Sequence, residues 1–134
     1  MMNPLSKTHL LGLSLAGLLF ASCSTRETVV ADYQVVPMPL EITTAQQASY
    51  LLKNGAVVYY PAGNEMMRRN AEFLAAYVKE QTGLELKLQE GDGGKNGITL
   101  KLGLAGENKE GYQLKVNADG VTIAAPSEAG VFYG

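Results

Sequence analysis

Few side chains in this 134-residue chain could act as nucleophile, general base or metal ligand. There is one histidine, His9, and one cysteine, Cys23, set against 13 carboxylates. A Ser-His-Asp or Cys-His centre needs an imidazole beside its nucleophile, and a zinc site of the usual kind needs His or Cys ligands. The chain beyond Cys23 supplies neither, so no metal and no cofactor are expected. Paired carboxylates remain, because two acids at a fixed separation can serve as acid and base on a glycosidic bond. Glu72, Glu80, Glu85 and Glu90 fall on faces that the hydrophobic pattern leaves to solvent, and Asp119 lies in a turn. None has apolar surroundings that would raise its pKa, so no catalytic residue is assigned.

Two other constellations are weighed and set aside. Gly91-Asp92-Gly93-Gly94-Lys95-Asn96-Gly97 is rich in glycine, but it lacks the order of a phosphate loop and leads into a strand instead of a helix. Its oxygen ligands also lack the spacing of a calcium loop, so it reads as a flexible connection. Tyr59, Tyr60 and Tyr112 could stack on a sugar, yet their strand positions make them core or interface residues first. A formal charge of −2 without a basic cluster excludes nucleic acid as a partner.

The amino-terminal stretch reads as an address. Leu10–Ala21 is an apolar run after a short polar start with Lys7, and it is too short for a spanning helix, which needs roughly 18–20 apolar residues. Leu19-Phe20-Ala21-Ser22-Cys23 resembles a bacterial lipobox, with Phe20 where leucine is usual. That resemblance implies cleavage before Cys23 and acylation of it, so that several acyl chains anchor the protein to a membrane. Ser24 after the cysteine resembles outer-membrane sorting. The expected organisation is a lipoprotein signal peptide over residues 1–22, a tether over 23–34 and one domain over 35–134, displayed in the bacterial cell envelope.

The elements of that domain follow from periodicity. Val35–Ile42, with Pro37 and Pro39, is an extended opening. Ser49–Leu52 and Ala56–Tyr60 around Asn54-Gly55 predict a hairpin. Asn64 is the expected N-cap of a helix whose apolar stripe is Met67, Ala71, Leu74 and Val78, widened by Phe73 and Tyr77, with Gly83 as its stop. Period-two runs follow at Leu84–Gln89, Ile98–Ala105, Tyr112–Asn117 and Val121–Ile123, with Asn117–Gly120 closing the last pair as a hairpin. These predict an α+β domain: a mostly antiparallel or mixed sheet covered on one face by one main amphipathic helix.

The last residues carry a further expectation. Pro126–Gly134 begins as a capped helix on Ser127 and leaves Val131, Phe132 and Tyr133 as an apolar cluster with nothing to bury them. The expectation is that the chain is truncated and that this cluster awaits a partner.

Three runs then suggest a family: Glu110–Val116, Asp119–Ala125 and Ala129-Gly130-Val131-Phe132-Tyr133-Gly134. Together with Val36-Pro37-Met38-Pro39 they resemble the non-catalytic N-terminal domain of family 20 glycoside hydrolases, the β-N-acetylhexosaminidases. The resemblance implies a parent enzyme that removes terminal N-acetylhexosamine from glycans by substrate-assisted retaining catalysis. There the 2-acetamido oxygen attacks the anomeric carbon while an Asp-Glu pair orients it and protonates the leaving group. That pair belongs to a catalytic barrel expected after Gly134 and packed near Val131, Phe132 and Tyr133. No carboxylate of this sequence matches it, so the chain alone is expected to be inactive. The alternatives are a stand-alone lipoprotein binding module and the similar N-terminal domain of another glycosidase family.

Overall fold

In the computed structural model, the residues described are Val35, 38–44 and 49–134. Cys23 and the segments read as signal and tether lie outside them. Seven elements run in the order β1 (Val57–Tyr60), α1 (Glu65–Thr82), β2 (Lys87–Glu90), β3 (Gly97–Leu102), β4 (Gln113–Asn117), β5 (Gly120–Ala125) and α2 (Glu128–Tyr133). The strands form one sheet in the order β2-β1-β3-β5-β4.

The α+β class and the mixed sheet agree with the sequence, but the balance of strand directions does not. β1 pairs in parallel with β2 and with β3, and β3 in parallel with β5; only β4–β5 is antiparallel. Alternation of apolar and polar residues reports the pleat, which parallel and antiparallel strands share. Direction is set by the connections. α1 carries the chain back along the sheet, so β2 starts at the same end as β1. The Gly91–Asn96 connection returns it again, so β3 starts there too.

The hairpin expected before β1 is absent for the same reason. Its turn exists, with Ala56 N donating to the Lys53 carbonyl at 3.1 Å and Gly55 at φ 78°. Both edges of β1 are already occupied by β2 and β3, so Ser49–Leu52 has no edge to join. Asn54-Gly55 instead holds the chain leading into β2: Asn54 Oδ1 accepts from Glu85 N at 2.8 Å, and Gly55 N donates to Glu85 O at 2.7 Å.

α1 forms where its caps require. Asn64 is extended, and its Oδ1 accepts from Met67 N at 3.0 Å; Gly83 at φ 75° ends the helix by donating to the Lys79 carbonyl. Met67 and Ala71 are fully buried against Val58, Tyr60, Ile98, Leu100, Ile123 and Ala125. Ala71 lets the helix approach the sheet closely, and Leu74 packs at the margin. α1 lies over β1 and β2, and α2 lies over β5 and β3. Ser127 caps α2 by accepting from Gly130 N at 3.3 Å. The second helix thus completes a layer on one face of the sheet.

Candidate functional site

The structure gives the sequence-weighted acids no shared site. Glu72, Glu80, Glu85 and Glu90 are all exposed, and Asp119 turns the β4–β5 hairpin, where its N–H donates to Asn117 Oδ1 at 2.9 Å. Among the described residues no cluster of His, Cys, Asp and Glu could hold a metal. The glycine-rich connection packs on the sheet. A Cβ at Gly94 would lie 2.5 Å from Tyr59 Oη, and one at Gly93 would lie 2.8 Å from Thr99 Oγ1. Tyr59 is therefore covered by backbone. Tyr60 is core and Tyr112 borders it.

The surface feature that stands out is apolar and lies on the helix layer. The structure corrects the expected exposed cluster of Val131, Phe132 and Tyr133 at its first member: Val131 is 3% exposed and part of the domain's own core. Phe132 and Tyr133 remain open at 52% and 57%. Phe73 and Tyr77, expected to widen the core stripe of α1, also point away from the core at 58% and 54%. The Phe73 and Phe132 rings meet at 5.2 Å and 48°, and Phe132 and Tyr133 meet at 5.9 Å and 71°. Both geometries suit the edge-rich packing that aromatic quadrupoles favour.

Met66, Asn70, Phe73 and Tyr77 recur at i, i+4, i+7 and i+11, one residue out of step with Met67, Ala71, Leu74 and Val78. One residue is about 100° of helix rotation, so α1 carries two stripes, one for the core and one for the surface. The signal for the second was readable, since an asparagine inside a helix is an unfavourable choice unless its side chain is used. Asn70 Nδ2 donates to the Glu128 carbonyl at 2.9 Å, and Asn64 Nδ2 donates to Glu128 Oε1 at 3.0 Å. Glu128, which sequence reasoning missed, therefore ties α2 to α1 and sets Phe132 against Phe73.

The Asn64 hydrogen bond holds the Glu128 carboxyl below its ordinary value of 4.5, helped by Glu128's own backbone N–H. A carboxylate whose pKa falls on folding stabilises the fold above its unfolded value and loses that effect as pH drops through the folded value. Thermal unfolding from pH 7 to pH 3 should thus show E128Q less stable than wild type near neutrality. The gap should close below the ordinary carboxylate range; a gap that is constant with pH would refute the charge-assisted tie.

Residues 32–134 match the family described as glycosyl hydrolase family 20, domain 2. The chain belongs to that family. It is an N-terminal, non-catalytic domain of the family 20 type, as the three sequence runs implied. Solved structures agree. The family 20 β-N-acetylhexosaminidase of Streptomyces coelicolor is 29% identical with a TM-score of 0.65, over 76% of this chain and 20% of its own. The N-acetyl-β-hexosaminidase of Streptomyces plicatus, solved in complex with Thio-NAglucal, is 30% identical with a TM-score of 0.67, over the same shares. The family 20 domain described here therefore spans about a fifth of the length of these enzymes. No curated protein matches the sequence.

Proposed function

We propose that this chain is the accessory domain of a β-N-acetylhexosaminidase and that its helix layer docks on the catalytic barrel of that enzyme. The parent would release terminal non-reducing N-acetylhexosamine from glycans by substrate-assisted retaining catalysis, with its Asp-Glu pair on the barrel. The observation that carries this reading is the aromatic surface of Phe73, Tyr77, Phe132 and Tyr133 on a family 20 domain. Aromatic side chains are the usual anchors of protein interfaces, and large exposed apolar patches on isolated domains mark such surfaces. Leu114 and Val116 of β4, exposed on the same side of the sheet, extend it. Acylation of Cys23 would hold the enzyme on the cell envelope, at the outer membrane.

Reading the genomic frame through codon 134 is the direct test. The expected outcome is several hundred further codons encoding a barrel with an adjacent Asp-Glu pair. A confirmed stop codon, with a soluble monomeric product, would overturn the proposal. The chain by itself should not hydrolyse a nitrophenyl N-acetylglucosaminide, and measurable turnover by it would refute the placement of catalysis on the barrel.

The surface also predicts a difference between contexts. F73S/F132S should change the stability of the isolated domain by no more than about 1 kcal/mol, as exposed positions do. In the longer protein the same pair should cost 2 kcal/mol or more, the range of about 2–4 kcal/mol seen for interface anchors. Equal costs in both contexts would mean that the rings serve only the domain's own fold.

A further inference from the structure

The two faces of the sheet differ in kind, and the second face suits another partner. From β1 onward, the exposed large apolar residues Met66, Phe73, Tyr77, Leu88, Leu114, Val116, Phe132 and Tyr133 all belong to the helices or to the helix side of the sheet. The opposite face is set by the same register. Lys87 and Gln89 of β2, Thr99 and Lys101 of β3, Thr122 of β5, and Gln113, Lys115 and Asn117 of β4 all point there. No strand residue on that face is acidic. Lysines stand on β2, β3 and β4; with a strand spacing of about 4.8 Å and a rise of about 3.3 Å per residue, the register places Lys101 about 16 Å from Lys87 and about 12 Å from Lys115. The connection crossing Tyr59 carries Lys95 and Asp92 alike, and Asp119 lies in the β4–β5 turn.

We propose that this helix-free face is a docking surface for an anionic phospholipid bilayer. The cations of α1 are all engaged: Arg68 with Glu65 and Glu72, Arg69 with Glu65, and Lys79 with Glu85. Among the described residues no carboxylate lies within ion-pair distance of Lys87, Lys95, Lys101 or Lys115. Lys87, Lys101 and Lys115 thus present unengaged cations on one face of the sheet, while Lys53 and Lys109, unengaged as well, lie in connections outside the strands. A protein partner would want exposed aromatic or apolar anchors, whereas Val57 and Tyr59 on this face are half-buried, Tyr59 beneath the Gly91–Asn96 connection. A nucleic acid needs a continuous stripe of cations along its backbone, which lysines this far apart do not supply. Headgroup phosphates need only spaced positive charge, which acts within about 10 Å at 0.1 M salt.

The proposal draws on the lipid-anchor reading of Cys23. A 24–34 tether extends at most about 40 Å, which keeps the domain near the bilayer. At the resulting effective concentration, on the order of millimolar, a weak attraction suffices to orient it.

The full chain, reconstituted in vesicles of phosphatidylethanolamine with phosphatidylglycerol or of phosphatidylcholine alone, can be labelled with a lysine-acylating reagent and read by mass spectrometry. Lys87, Lys95, Lys101 and Lys115 should react about threefold more slowly than Lys109 on the anionic vesicles alone, and recover when salt shortens the Debye length to a few ångström. In K87Q/K101Q/K115Q the slowing at Lys95 should disappear. Unchanged rates, or equal slowing on both vesicle types, would overturn the proposal. Protection by soluble dextran sulfate without protection by vesicles would overturn it in favour of an anionic polysaccharide. The mass of Cys23 from the same digest tests the anchor separately. Salt-sensitive protection with an unacylated Cys23 would support the surface and remove the tether.

Discussion

Replacing Met67 by alanine should be among the most damaging single changes in the domain. Met67 and Val58 are its largest fully buried side chains, and Met67 places α1 on the sheet. Truncating a buried methionine removes transfer free energy and leaves a cavity, at a cost of about 2–5 kcal/mol. That is a large fraction of the 5–15 kcal/mol by which domains are usually stable, and each kcal/mol lowers Tm by about 4–8 °C at this size. The control is next door. Met66 is exposed on the second stripe of α1, so M66A should stay within about 0.5 kcal/mol of wild type. Urea unfolding of the two variants decides the matter; similar costs would mean that the helix is rotated about its axis from the position described.

Substituting Gly130 by alanine should destabilise the domain although it improves helix propensity. Alanine is favoured over glycine inside a helix by about 1 kcal/mol. Against that, a Cβ at Gly130 would lie 2.5 Å from the Gly111 carbonyl, 2.8 Å from Ala125 Cβ and 3.0 Å from the Lys109 carbonyl. Two of the three obstacles are backbone, and overpacking a tight site costs about 1–3 kcal/mol. Sterics should win, so a lower thermal midpoint is expected. α2 must also lift away, which would separate Phe132 from Phe73 and change their aromatic proton shifts. A neutral or stabilised G130A would show that the close approach of α2 to the 109–111 connection does not exist.

Gly130 also shows how legibility varied along the chain. Ala129-Gly130-Val131-Phe132-Tyr133-Gly134 was readable as a family signature, but the reason for its glycine is a contact with residues distant in sequence. Both helix caps were legible, because Asn64 and Ser127 act on N–H groups three residues away. The core stripe of α1 was legible from its period. Phe73 and Tyr77 were misplaced into that stripe because hydrophobicity does not say which apolar side chains a sheet will cover. Val131 was misplaced in the opposite sense: α2 turns it inward and turns Phe132 and Tyr133 outward.

What the sequence determined by itself was local or compositional. It held the helix and its caps, the strands and their pleat, the β4–β5 turn, the absence of imidazole and thiol beyond Cys23, and the family. Those depend on contacts a few residues apart or on side-chain inventory, which a linear string contains. The tertiary structure alone decided strand direction, the denial of an edge to Ser49–Leu52, and the tie of Glu128 to Asn64 and Asn70. It also decided the division of the domain into an aromatic face and a lysine face. Each of these depends on which segments become neighbours once α1 and the Gly91–Asn96 connection have returned the chain, and alternation along a strand is the same whichever neighbour it acquires.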